Sequence, residues 1–557
     1  MTLRTLLTLV TSLAVVGALV SGCGDDGPPS ITYVVDARID TYNANTVDGN
    51  AGGALMATTR LLPGFSYLGA QGQVTPDRDI GTVTPVAGPA LTLRYDFAPE
   101  ATFSDGHAMA CDDLLLAWAA MSGRMPGGFA PATTAGYRDI ERVDCTPGTR
   151  TATVTFARGR AYSDWLALFR AGTMLPAHIV AQQAGVPNVV DPIRTGDRAA
   201  LTKIARAWNA GFALAPGSID TARFPSSGPY RIDSYSATDG LVLVANDKWW
   251  GDAPPVGRIV IRPTSAQQRV PDGAYDIADV TAGISTTEIA PAEGPKQPFP
   301  QPNRALAVES IVLSQRGALG DVRARQALAS CVPRDQLARQ FGRGAQTWNL
   351  RVLAPADNLA GQLNASFGRE YLRADVPRAK AQVAELRAGG AGPLRVRIGY
   401  LAPTPRWQQM VGAITESCRA AGIEVVDAGS SDITPGALGR DVDALIVADG
   451  ASFAAAGAAN PSRDAYQLYG GDPLNLGGYR NPEVSAAIDE LVVSDLASDR
   501  LRLVRTIENA AWAGLPSIPL FAAPRDRQWG SRVANVMPGL GRNGTGWNMD
   551  RWVAHEQ

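Results

Sequence analysis

An α/β fold divided between two or three globular units is predicted by three observations. The first is size: 557 residues with 45% hydrophobic and 19% charged content are enough to bury more than one core. The second is a strand, helix and strand in the C-terminal half. Residues 394–400 alternate apolar and polar, 406–420 read as a helix and 423–427 as a second strand, a βαβ unit that makes its sheet at least partly parallel. The third is the N-terminal half, where short alternating strands and separate helical runs read as α+β.

In order along the chain, residues 31–36 form a β-rich run and 91–97 alternate as a half-buried strand does. After the turn Ser104-Asp105-Gly106, residues 112–121 place Leu114, Leu115, Trp118 and Met121 on one helical face. A strand at 151–156 and helices near 161–170 and 199–211 follow, then strands at 230–236, 241–245 and 258–261. A new lobe begins near residue 320, where Asp321 caps a helix carrying Val322, Ala324, Ala327 and Leu328. Its βαβ unit is followed by an apolar strand at 442–448, helices at 482–493 and 497–513, and a strand at 518–521 that can return the chain to the first lobe. There is no internal repeat.

Residues 1–22 have the form of a secretion signal: Arg4, an apolar run over 6–20, then Ser21-Gly22-Cys23. The run is short for a membrane span, which needs roughly 20 residues. Small residues fit a peptidase cleft, and the Cys23 thiol is the nucleophile that accepts a diacylglyceryl group, so the segment resembles a bacterial lipobox. Residues 23–30 then form a polar tether, and the chain is expected on the outer face of the cell membrane, anchored through lipidated Cys23. Four cysteines remain, an even count that in an exported protein favours disulfides in one of three pairings. Cys111 with Cys145 and Cys331 with Cys418 is the expected set, because each pair falls inside one lobe; four buried free thiols are the alternative.

Lys+Arg 51 against Asp+Glu 53 gives a net charge of -2, which offers no broad attraction to nucleic acid. Neither a phosphate-cradling GxxxxGK[ST] loop nor a nucleophile elbow occurs, and no CxxC spacing points to zinc. The histidines, His107, His178 and His555, are scattered. Gly539, Gly541 and Gly544 make a GxGxxG pattern, but no strand bearing an acid follows it, so it reads as a turn-rich loop. No enzyme activity, metal or cofactor is expected.

Six elements, in order, resemble the peptide-binding class of ABC-importer receptors, the family that carries dipeptides, oligopeptides, nickel chelates and haem. They are Phe103-Ser104-Asp105-Gly106 with the following Cys111 to Trp118 helix; Ser227-Gly228-Pro229-Tyr230 with Asn246-Asp247-Lys248-Trp249-Trp250-Gly251; Asp276-Ile277; the run from Asp321 to Leu328; Tyr479-Arg480-Asn481-Pro482; and Pro516 to Leu520. Asn43 to Thr46, Phe224 to Tyr230, Trp547 to Trp552 and the cysteine placement resemble, within that class, the mycobacterial-type dipeptide-binding lipoproteins. The resemblance implies a two-lobed periplasmic-binding-protein-like fold with an extra N-terminal subdomain, hinged by two crossovers near 310–315 and 515–522. Lobe I would comprise 31–312 with 520–557, and lobe II 313–519. It further implies a monomer that closes on a short peptide and presents it to ABC permease and ATPase subunits.

Asp449 ends the apolar strand 442–448, where open α/β sheets place ligands, and the resemblance implies pairing with a peptide's α-ammonium. Gly450 and Ala451 would let a peptide backbone approach. Asp464, in Asp464-Ala465-Tyr466, competes with Asp449 for that role. Tyr42, Asn43 and Asn45 either hydrogen-bond the ligand or serve as turn and capping groups; Trp407 either walls the cleft or packs its helix. Gly228, Pro229 and Tyr230 are read as a turn and packing anchor. A haem or other non-peptide ligand is the alternative on the same scaffold, with Arg170 as a candidate propionate partner, and a transport-inactive lipoprotein regulating a cell-envelope pathway is the third.

Overall fold

The computed structural model describes residues 29–35, 38–263, 275–282, 305–448, 453 and 460–555. Cys23, Asp449, Gly450 and Ala451 lie outside them.

Three sheets organise the chain. The first-lobe sheet has six strands in the order Arg525–Trp529, Ile277–Thr281, Ser30–Val35, Arg258–Pro263, Gly240–Ala245 and Tyr230–Ser236. Ser30–Val35 runs parallel to both of its neighbours and the other pairings are antiparallel. Both described ends of the chain therefore meet in one lobe. Gly228 ends the loop entering this sheet, and a Cβ there would meet the Arg60 carbonyl oxygen at 2.1 Å, so the backbones approach as only glycine permits. Beside it Tyr230 is fully buried and donates its hydroxyl to the Val256 carbonyl at 2.8 Å, the packing role expected of it.

An antiparallel four-stranded sheet, Gly81–Val86, Thr92–Phe97, Thr151–Phe156 and Ile140–Asp144, forms the extra subdomain. The alternation of Thr92–Phe97 turns Leu93, Tyr95 and Phe97 into the core. The helix Cys111–Met121 packs beside it. Asp113, in its first turn, accepts the Ala110 N–H at 3.0 Å and, across the subdomain, the Ala177 N–H at 2.8 Å. Cys111 is bonded to Cys145.

The second-lobe sheet runs Glu424–Asp427, Arg395–Gly399, Ala444–Ala448, Val308–Leu313 and Ser517–Ala522. The first three strands are parallel, and the helix Pro405–Arg419 supplies the βαβ crossover. Asp321 caps Val322–Cys331 by accepting the Arg323 N–H at 2.9 Å, and Cys331 is bonded to Cys418 on the crossover helix.

Two expectations are corrected. Residues 161–170 form only a 3-10 turn, Trp165–Ala167. The Ser163 N–H is spent on the Val492 carbonyl of the other lobe at 2.8 Å, and Phe169 takes a φ of 52°, which an α-helix cannot continue. The lobe boundaries also move outward, because Val308–Leu313 and Ser517–Ala522 both hydrogen-bond into the second-lobe sheet. The chain changes lobes before Val308 and after Ala522. There the Ala523 N–H reaches the Ala307 carbonyl and the Ala282 N–H the Pro524 carbonyl, each at 3.0 Å, so the two connections run side by side.

Candidate ligand-binding cavity

Between the lobes lies a cavity of about 90 Å³. The first lobe and subdomain supply Asn45, Asn50 and Arg170 to its wall, the C-terminal segment supplies Arg542, and the second lobe supplies Arg463 and Asp464.

Polar contacts pin the lobes together around it. Asp472 of the second lobe accepts the Thr134 N–H at 2.9 Å and the Thr134 hydroxyl at 2.6 Å. Arg160 donates to the Asp489 carbonyl at 2.7 Å and side chain at 3.1 Å, and the Arg138 guanidinium lies 4.2 Å over the Tyr469 ring. Arg463 pairs with Asp164 at 2.7 Å. On the opposite side Phe453 donates its N–H to the Ala51 carbonyl and Arg38 reaches Asp432, at 3.1 and 3.2 Å. The conformation is closed, and burial in it raises the Asp472 carboxyl above its ordinary pKa, with Thr134 opposing.

Of the residues expected at the site, Asn45 and Asp464 line the cavity. Asn45 donates its side-chain amide to the Gly172 carbonyl at 2.7 Å and to Asn43 Oδ1 at 3.0 Å. Asp464 is buried at the end of the short helix Pro461–Asp464. Arg170, raised as a propionate partner, lines it as well.

Tyr42, Asn43 and Trp407 are not brought to its wall. Tyr42 is buried among Phe212 and Phe224 and donates its hydroxyl to the Pro225 carbonyl at 3.1 Å, because the chain after Ser30–Val35 dives into the core there. Asn43 is fully buried; it donates to the Trp208 carbonyl at 2.8 Å and accepts the Asn45 N–H at 3.0 Å, the turn role of a buried amide. Trp407 packs its helix, 1% exposed, and donates Nε1 to Glu309 Oε1 at 2.6 Å. The same Glu309, on Val308–Leu313, pairs with Arg406, whose Nε reaches across to the first-lobe Ala282 carbonyl at 2.6 Å. This tryptophan thus buttresses the junction between lobes.

Arg463 and Arg542 were not anticipated. Arg463 adjoins the anticipated Asp464, a nearby acid–base pair that signals a wall position only in hindsight of the fold. Arg542 sits inside the glycine-rich loop, where the turn chemistry hid it.

Residues 86–456 match the family described as bacterial extracellular solute-binding proteins, family 5, middle. The chain belongs to this family. Family 5 proteins are a solute-binding class, consistent with a closed, two-lobed fold around a cavity. The family 5 chain is 38% identical over 552 residues to the uncharacterized lipoprotein Rv2585c of Mycobacterium tuberculosis, covering 98% of this chain and 96% of the relative. It is 24% identical over 511 residues to the oligopeptide-binding protein OppA of Mycobacterium bovis, covering 89% and 80%. Its fold superposes on the oligopeptide-binding protein from Thermus thermophilus complexed with a pentapeptide, with a TM-score of 0.72 at 17% identity over 94% and 96% of the two chains. Among the described residues no helix is long and apolar enough to cross a membrane.

Proposed function

We propose that this family 5 protein captures short peptides in the interlobe cavity and delivers them to the permease and ATPase of an ABC importer, tethered to the outer face of the membrane by lipidated Cys23. The carrying observation is that one closed cavity presents a buried carboxylate, Asp464, and guanidinium groups together, the opposite charges that a peptide's two termini require. Asp464 would hold the α-ammonium, alone or with Asp449. Asn45, already oriented by Asn43 and Gly172, would present its remaining amide capacity to the peptide backbone. That the OppA relative is an oligopeptide-binding protein and that the Thermus thermophilus structure holds a pentapeptide support a peptide.

Haem on the same scaffold is disfavoured by the histidines: none lines the cavity among the described residues. His107 and His178 instead stack on each other at 4.0 Å, with His178 paired to Asp105. The test is native mass spectrometry of the protein as purified, followed by denaturation and identification of what is released. Co-purifying peptides of a few residues are expected; haem, or a ligand-free protein that ignores a peptide library, would overturn the proposal.

A further inference from the structure

The first lobe carries a second cavity, of about 700 Å³. Its wall comes from residues between 60 and 79 and between 535 and 551, with no second-lobe residue in it, so its shape does not depend on closure. It is larger than the interlobe cavity and falls in the range of roughly 300–1,000 Å³ that small-molecule sites occupy. Tyr67 and Trp547 line it, both partly exposed, with ring planes only 22° apart and centroids separated by 6.0 Å. Trp547 donates Nε1 to the Met537 carbonyl at 2.7 Å, so its polar atom is spent and what it offers the cavity is ring carbon.

The charges of this wall offset one another. Arg60 pairs with Asp550 at 2.9 Å and contacts Asp77 at 3.5 Å, and Arg551 lies 3.4 Å from Asp550 and 3.5 Å from Asp252. The remaining two, Arg78 and Asp79, are exposed neighbours of opposite sign. A ligand with net charge, or a zwitterion whose termini each need a counter-ion, finds the buried partners already taken. What stays open is hydrogen-bonding capacity of both kinds. Arg60 Nε, a donor, and Asp77 Oδ2, an acceptor, are buried without a hydrogen bond. Asn535 is exposed and its carbonyl accepts Asn548 Nδ2 at 2.9 Å, but its side-chain amide is uncommitted among the described residues. A hydroxyl donates and accepts at a single atom and carries no charge, so it suits such a set.

We infer that this first-lobe cavity binds an uncharged saccharide, with the sugar's C–H face against Trp547 and Tyr67 and its hydroxyls toward Arg60, Asp77 and Asn535. The site is separate from the interlobe cavity, and a free sugar and the sugar end of a glycolipid share the chemistry it recognises.

Calorimetric titration of the full chain with maltose, cellobiose and methyl α-mannoside, and with phosphatidylcholine vesicles with and without digalactosyldiacylglycerol, tests it. Saturable binding of at least one sugar-bearing probe is expected; a response to a free sugar assigns a soluble ligand, and a response only to the sugar-bearing vesicles assigns a lipid-borne one. Trp547→Ala is expected to weaken that binding about tenfold, whereas Trp547→Phe, which keeps a ring, weakens it about threefold or less. Asn535→Ala changes an exposed side chain that the fold does not use, and is expected to weaken binding about fivefold through one lost hydrogen bond. Binding of none of the probes would overturn the inference, as would binding that Trp547→Ala and Asn535→Ala both leave unchanged. Ala-Ala binding that Trp547→Ala abolishes would overturn it too, by making the occupant a peptide.

Discussion

Replacing Asp472 by alanine isolates the energetics of closure. Its carboxylate takes two bonds from Thr134 across the cleft, whereas its bond from the Leu474 N–H at 2.9 Å lies within one lobe and survives opening. Only the first two distinguish closed from open. A hydrogen bond to a charged group contributes about 1.5–3 kcal/mol, so the pair favours closure by at most about 3 kcal/mol at lower-end strength, because burial of the carboxylate opposes it. That is a factor of roughly 150 in the closure equilibrium, and in the affinity of any ligand bound only by the closed form. Asp472→Asn keeps an acceptor for the Thr134 hydroxyl and should fall between wild type and alanine. Small-angle scattering with and without ligand reads the lobe separation, and calorimetry reads the affinity. The sign of the pH effect is also set. Burial raises the Asp472 pKa in the closed form, so where opening exposes the carboxyl its proton-linked contribution to closure is fully present below the open-state pKa and is lost as pH rises through the closed-state value. An alanine variant within threefold of wild type in affinity, with unchanged scattering, would refute the assignment of these bonds to closure.

The remaining predictions concern stability. Glu508 is fully buried, pairs with Arg351 at 3.1 Å and accepts the Val352 N–H at 3.0 Å. Glu508→Ala should therefore cost about 3–5 kcal/mol in urea unfolding by stranding the Arg351 charge, with Arg351→Met/Glu508→Leu recovering much of it. Burial pushes the Asp113 carboxyl up to about 7 against its two backbone N–H donors. Its contribution is thus complete below the unfolded pKa near 4 and should decline by about 4 kcal/mol as pH rises to 7, a slope that Asp113→Asn flattens. Cys331 and Cys418 are 87 residues apart, so replacing both by serine should destabilise the second lobe by about 4–5 kcal/mol, read as a lowered denaturation midpoint without reductant.

Local patterns carried most of the fold into view. The alternation in Thr92–Phe97, the Asp321 cap and the βαβ run through Pro405–Arg419 each depend on neighbours a few residues away, so they are legible in one dimension. Both disulfides followed from lobe assignment, since a bond needs its cysteines within one folding unit. The span 161–170 was misread because its backbone donors serve partners in the other lobe, which no periodicity records. The site was legible only in part. Asp464 and Asn45 reach the cavity, but Tyr42, Asn43 and Trp407 spend their polar groups on Pro225, Trp208 and Glu309.

By itself the sequence determined the α/β class and the family, because propensity, capping and motif order are properties of adjacent residues, and it favoured the cysteine pairing that the structure shows. The tertiary structure alone decided the chemistry of the cavity. Arg170, Arg463 and Arg542 are separated by 293 and 79 positions, and they line one cavity only because the two lobes fold together around it.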